Sequence, residues 1–599
     1  MLSGESRKTV LGTLAVTRQQ QGGISMAGGA GGNGVPFGGT GTRPGGAGGT
    51  GFTSPDNVGH DGLFSGGGGG GGAGGGTGGN SADGIGGAGG TSGSPNGQSA
   101  TSKPGGIGGG GGGGGYNGNG AGQTTISNTS PLTGGNGGNG GNGAGAGFIA
   151  TTGGGGGGGA GGYGAIVTGT GDNSNNSTIT GGKGGDGGAA GAFYSGTFGG
   201  DGGDGGVGVQ FTTTDPAGAT FTNSGTVAGG NGGNGGGPGN ANIGTAGNPG
   251  AGGAGIVGAY LTIINSNTIK GGLSGDGVTQ ADAIDFTGGT NKLELDPGST
   301  IVGKVVAFST ADTLALGGVG IASFDASQIG TQYQGFGVFE KTGTSTWTLT
   351  GSTTAATAWT IYAGTLDVAA LGAAGTGAIT FAHGTETLAI ENAALSNHNF
   401  GNSIVNFSTG ELIDLAGLTF AQGAAASYDS TTHILSVTSG GVTDKLTLIT
   451  PGVGTFRPIN DGHGGTEIEL VLLPTITGTQ ANQQSAPGWP IHPFGKVVIG
   501  DPIPGQTETV TITRVENTGN ANTTALFYGV LSDPNAAADH SHNVNGVYTV
   551  SGSPSAVTAA LQGLLFSAGL DDTHYVIHAV DTVGQAATDH TTSIHGTLF

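Results

Sequence analysis

Thr178–Gly188 reads TITGGKGGDGG, and variants of the phrase stand at three other places: LTGGNGGNGG from Leu132, TVAGGNGGNGG from Thr226 and TIKGGLSG from Thr268. Their paired glycines open at Gly134, Gly181, Gly229 and Gly271, giving spacings of 47, 48 and 42 residues. A β-branched run leading into GGx triplets at a steady interval marks a repeat protein, in which each unit buries its apolar face against its neighbours. Glycine supplies 149 of the 599 residues, which points to a long surface protein rather than a compact enzyme.

The phrases alternate with GFIATT (147–152), GAFYSGTF (191–198), GVQFTTT (208–214) and GIVGAYLTIINSNTIKGG (255–272). These runs are rich in Val, Ile, Thr, Phe and Tyr and favour strands. Asn–Gly and Asp–Gly steps suit the turns between them. Residues 131–395 therefore read as a Gly-rich right-handed parallel β-helix, a solenoid. Collagen is excluded, because the triplets carry two glycines and the whole chain has 20 prolines. Residues 1–130 hold runs such as Gly66–Gly72 and Gly108–Gly115. These have no side chains to bury and lose the most entropy on ordering, which predicts a flexible low-complexity leader. The alternative is an extension of the solenoid packed through backbone alone.

The net charge of −22 argues against nucleic acid as a partner. The chain has no cysteine, which removes disulfides, thiolate metal sites and Cys nucleophiles. No apolar run is long enough for a transmembrane helix. The apolar stretch Val10–Val16 is broken by Gly12 and Thr13, so no Sec signal is visible. Either export uses another route or the true start lies elsewhere.

Phe339–Val368 contains KTGTSTWTLTG and WTIYAGTLDV. It resembles the autotransporter-associated β-strand repeat of large bacterial passenger domains, and TNSGTVAGG and INSNTIKGG look like rungs of the same class. Residues 396–473, with GELIDLAGLTFAQG and NDGHGGTEIEL, resemble a β-rich module of giant exported proteins. Residues 474–599 are similar to the Ig- or cadherin-like β-sandwiches of those proteins, with one short helix expected within Ser553–Ser567. The resemblance implies an exported adhesin-like protein, secreted or at the cell surface. It would mediate attachment, aggregation or biofilm as an elongated β-rod, with host or matrix glycans or sister molecules as partners. A membrane β-barrel like that of autotransporters is not seen after Pro474.

Calcium is the one cofactor with candidate residues. Gly181–Ala189 and Gly199–Val207 follow the RTX nonapeptide GGxGxD as far as Asp186 and Asp204. Asp501 and Asp581 resemble the acidic positions that bridge cadherin-like repeats through calcium. A calcium-binding RTX-type secreted protein is thus the alternative, and a β-helix polysaccharide-active enzyme a lesser one. The group Asp282, Asp285, Glu294 and Asp296 has Glu294 and Asp296 facing water, and the pair His540 and His542 reads as loop. No catalytic residue is assigned, and the chain is read as a non-enzyme.

Overall fold

The computed structural model describes residues 27–31, 43–50, 56–63, 66–82, 84–102, 108–144, 152–192, 197–239, 244–486, 489–515, 529–544, 547–567, 572–582 and 584–596. The N-terminal stretch read for a signal, most of GFIATT and the middle half of GAFYSGTF lie outside them. The chain forms two compact units: residues 1–366 with 372–377, and residues 367–371 with 378–599. The described residues are all-β apart from four short helical segments.

In the first unit, parallel strands build three long sheets, and a fourth opens where Ile321–Asp325 pairs with Thr346–Thr350. One runs through Ser127–Asn128, Gly171–Asn175, Ala219–Asn223, Leu261–Asn265, Lys292–Leu295, Thr313–Leu316, Val338–Lys341 and Trp359–Ile361. A second joins Leu132–Thr133, Thr178–Thr180, Thr226–Ala228, Thr268–Lys270 and Thr300–Val302. The third joins Ala165–Val167, Val209–Phe211, Ile256–Ala259, Ile284–Gly288, Val305–Val306 and Tyr333–Gln334. Up to Val306 each circuit of chain thus adds one strand to each of these three sheets, which is why the sequence repeats.

Register turns this repetition into columns. Phe221, Ile263, Leu293, Leu314, Phe339 and Trp359 stack in one buried column. In another, the amides of Asn128, Asn175, Asn223 and Asn265 form a chain, each Nδ2 donating to the next Oδ1 at 2.6, 2.8 and 2.7 Å. The column continues with Leu295, Leu316 and Lys341. Lys341 is fully buried, and its Nζ donates to the carbonyls of Thr342, Gly343 and Ala363. Burial pulls its pKa down to about 8.

Between the second and third sheets the early circuits send out an arm and bring it back. The arms are the GGx segments, and they are not strands. Central arm 153–164 shows their logic. Gly156, Gly159 and Gly162 donate to Gly141, Gly138 and Gly135; Gly158 and Gly161 donate to Asp201 and Asp204; Gly157 and Ala160 donate to Gly68 and Gly71. Gly156, Gly159 and Gly162 in turn accept from Gly188, Gly185 and Gly182; Gly154, Gly157 and Ala160 from Gly109, Gly112 and Gly115; Gly158 from Gly29. A period of three with every bond going outward is the geometry of a polyproline-II-type helix. This one donates to three neighbouring segments and accepts from three more.

The helices sit too close for side chains. A Cβ on Gly158 would lie 1.9 Å from the Gly185 carbonyl oxygen. Segments such as 66–72, 76–79, 108–116 and 27–31 belong to the same array, with buried, hydrogen-bonded glycines. These parts of residues 1–130 therefore depart from the expected flexible leader. Backbone hydrogen bonds replace the missing side-chain burial and oppose the entropy cost. Gly181–Ala189 and Gly199–Val207 are likewise arm helices, without the strands of an RTX roll. The arms shorten along the chain, to Gly271–Gly275 and then to Gly303 alone.

In the second unit the parallel pairs Ile379–Phe381 with Asn399–Val405, and Thr387–Ile390 with Leu412–Leu415, give way to hairpins. Ala425–Asp429, Ile434–Ser439 and Val442–Ile449 run antiparallel, as do Leu412–Leu415, Thr466–Val471 and Thr455–Asn460. Such hairpins end a parallel stack without leaving a long template edge. After Pro474, Glu508–Val515 lies between Val547–Gly552 and Thr573–Asp581, all antiparallel. The expected helix spans Pro554–Gly563, capped by Ser553 Oγ accepting from Ala556 N–H, and buries Val557, Ala560 and Leu561. They join Phe494, Ile512, Tyr548 and Tyr575 in one core.

Two substitutions test the array. Gly158→Ala should destabilise by on the order of 3 kcal/mol, because the clash is with a neighbour's main chain. Gly237→Ala, whose Cβ would meet nothing within 4 Å, should leave the thermal midpoint unchanged. Equal midpoints for the two variants would contradict the packing. In the amide column, Asn223→Ala should cost about 2–4 kcal/mol by leaving buried groups of Asn175 and Asn265 unpaired, read as a lower denaturant midpoint.

Candidate functional site

The GGx arms use their third residue as a latch. Asn136, Asn139 and Asn142 each accept, through Oδ1, the main-chain N–H of Lys183, Asp186 and Ala189 on the next arm. Asp186 Oδ1 passes the pattern on to Asn234 N–H at 2.8 Å and also takes Lys183 Nζ at 3.3 Å. Asp204 uses both oxygens, for Ala251 N–H at 2.9 Å and Ala27 N–H at 3.1 Å. Burial raises its pKa against those two hydrogen bonds. Asp186 and Asp204 therefore act first as inter-arm fasteners, each with its own donors.

Asp501 and Asp581, 80 residues apart in sequence, are brought to one place by the strand pair in which Glu508 faces Asp581. Asp501 closes the turn after Val498–Gly500, its Oδ1 accepting from Ile503 N–H; Asp581 Oδ1 accepts from Gln585 N–H; both bonds are 2.7 Å. Glu508 is fully buried, and neither of its carboxylate oxygens has a hydrogen-bond donor. Burial, then contact with Asp501 and the charges of Asp501 and Asp581, push its pKa well up. Carboxylates brought into contact repel one another, which disfavours the charged form of the buried one. Glu508 escaped the sequence reading because its partners become neighbours only through strand pairing. Beside these turns, Leu470, Leu472, Pro502, Ile503 and Pro504 line a groove of about 370 Å³.

A second acidic group spans successive strands. Asp414 faces Glu467, and burial followed by the charges of Asp461, Glu467, Glu391 and Asp367 pushes it up to about 6. Of the other sequence candidates, Glu294 pairs with Lys292 at 3.3 Å and Lys292 with Glu340 at 2.9 Å. Burial and the Glu294 charge lift Asp296 to about 6. His540 sits in a left-handed turn and His542 opens a strand. Among the described residues, no three His, Cys, Asp or Glu side chains form a ready metal-ligand set.

No protein-family model matches the chain, and neither the curated proteins nor the solved structures compared with it give a significant match.

Asp414 sets a pH dependence. Its folded pKa lies above the unfolded value of 3.8, so its contribution is full below 3.8 and is lost as pH rises through about 6. The second unit should melt at a higher temperature at pH 5 than at pH 7.5. Asp414→Asn should raise the pH 7.5 midpoint and shrink the difference; an unchanged pH profile in that variant would refute the assignment.

Proposed function

We propose that the chain is an exported structural protein of the adhesin type, secreted or held at the cell surface, where it mediates attachment, aggregation or biofilm. In this reading the first unit is a right-handed parallel β-helix carrying a polyglycine array, and residues 474–599 are an Ig- or cadherin-like module. The observation that carries it is the array itself. Its interior is main chain alone, so specificity resides in the regular rows of Asn, Asp and Lys on its outer arms. Such rows suit weak, multivalent hydrogen bonding to glycans or to sister molecules. Catalysis is not assigned to any residue.

A second reading, a calcium-binding secreted protein of the RTX type, is favoured by one observation: Asp501 and Asp581 concentrate carboxylate around a fully buried Glu508. Calcium there would offset the repulsion among these carboxylates.

Protease shaving of intact producing cells tests the first reading. The chain should be lost from the cells under conditions that spare cytoplasmic markers, and its deletion should reduce attachment or aggregation severalfold. A chain protected until lysis, or a deletion without effect on either phenotype, would overturn it.

A further inference from the structure

Thr387 and Leu412 face one another on successive parallel strands, so the residues before them, Glu386 and Glu411, stack at the strand spacing of ~4.8 Å. Both side chains are buried, at 1% and 0% exposure. Glu411 Oε2 is held by Ser408 N–H at 2.6 Å, whereas Glu411 Oε1 and Glu386 Oε2 have no hydrogen-bond partner. Buried carboxylate oxygens left in this state cost several kcal/mol, roughly, unless something positive fills the space between them.

His383 is a group able to carry positive charge that the structure places there. Its Nδ1 is 3.8 Å from Glu411 Oε1 and 3.5 Å from Ser408 Oγ, and its ring is 67% exposed. A mostly solvated imidazole at that distance does not satisfy two buried carboxylates. The pair also differs from the Asp501–Glu508 contact. Glu508 also has unpartnered oxygens, but Asp501 lies in contact with it, whereas Glu386 acts on Glu411 through charge.

We propose that this corner binds a hard divalent cation, calcium by preference, bridged between Glu386 Oε2 and Glu411 Oε1. Ser408 Oγ and water supply further oxygen ligands, in keeping with calcium's six to eight. The donors are oxygens only, two carboxylates and a hydroxyl, which suits a hard cation rather than zinc; a third His, Cys, Asp or Glu ligand is absent among the described residues, so water completes the shell. The cation would fasten two successive strands near the point where the parallel stack turns into hairpins. The site is independent of Asp501, Glu508 and Asp581.

Calorimetric titration of the full chain with calcium chloride, after chelator treatment, tests the site. The wild type should bind with a dissociation constant on the order of 10⁻⁴ to 10⁻³ M. Glu386→Gln and Glu411→Gln should each weaken one binding event at least tenfold, whereas Glu508→Gln should leave that event intact. Both Gln variants should melt in chelator at or above the wild-type temperature and lose the rise that calcium gives the wild type. Calcium heats unchanged by both substitutions would overturn the proposal. If a variant fails to fold, hydrogen exchange on the wild type decides: calcium must slow exchange at residues 385–387 and 408–412, and equal rates with calcium and chelator would also overturn it.

Discussion

Main-chain hydrogen bonding between helices that lack side chains is the constraint on which the first unit depends. A glycine helix with three residues per turn points N–H and C=O groups outward in every direction. Each must find a partner or stay in water. Segment 153–164 finds its partners on all sides, and it can do so because no Cβ holds the neighbours apart. A glycine-rich sequence that would be disordered in isolation becomes ordered where the parallel sheets align its arms.

The sheets and arms depend on each other through the repeat length. Spacings of 47 and 48 residues allow for two arms per circuit; the 42-residue interval from Gly229 to Gly271 keeps both arms and shortens the link between its strands, with only Tyr260 between Ile256–Ala259 and Leu261–Asn265 where residues 212–218 separate Val209–Phe211 from Ala219–Asn223. Where the arms are long, a buried amide column runs through the sheet; where they vanish, leucine takes over the column and finally Lys341 fills it. Each solution meets the same requirement. A column position facing inward must be apolar or fully hydrogen-bonded, and Lys341 meets it with three carbonyls.

The repeat, its period and its strands were legible in the sequence, because β-branched runs and Gly–Gly pairs recur at fixed intervals. So was the helix at Pro554–Gly563, from Ser553-Pro554 and the spacing of Val557 and Leu561. The order of segments such as 66–72 and 108–116 was hidden, since side-chain patterns say nothing about a core made of backbone. The amide column was hidden for a milder reason: Asn128, Asn175, Asn223 and Asn265 share the repeat spacing, but the eye follows the glycines. Glu386, Glu411 and Glu508 leave no local signal at all. Glu386 precedes an alternating strand as any surface glutamate would, and only register sets it above Glu411.

The most direct measurement is amide hydrogen exchange by mass spectrometry on peptides covering residues 153–164. Buried and bonded on every side, these amides should exchange as slowly as those of the sheet strands Leu261–Asn265, at rates set by large-scale opening. Exchange at the rate of an unstructured glycine chain, with the sheet strands still protected, would contradict the array and return these residues to flexible polyglycine.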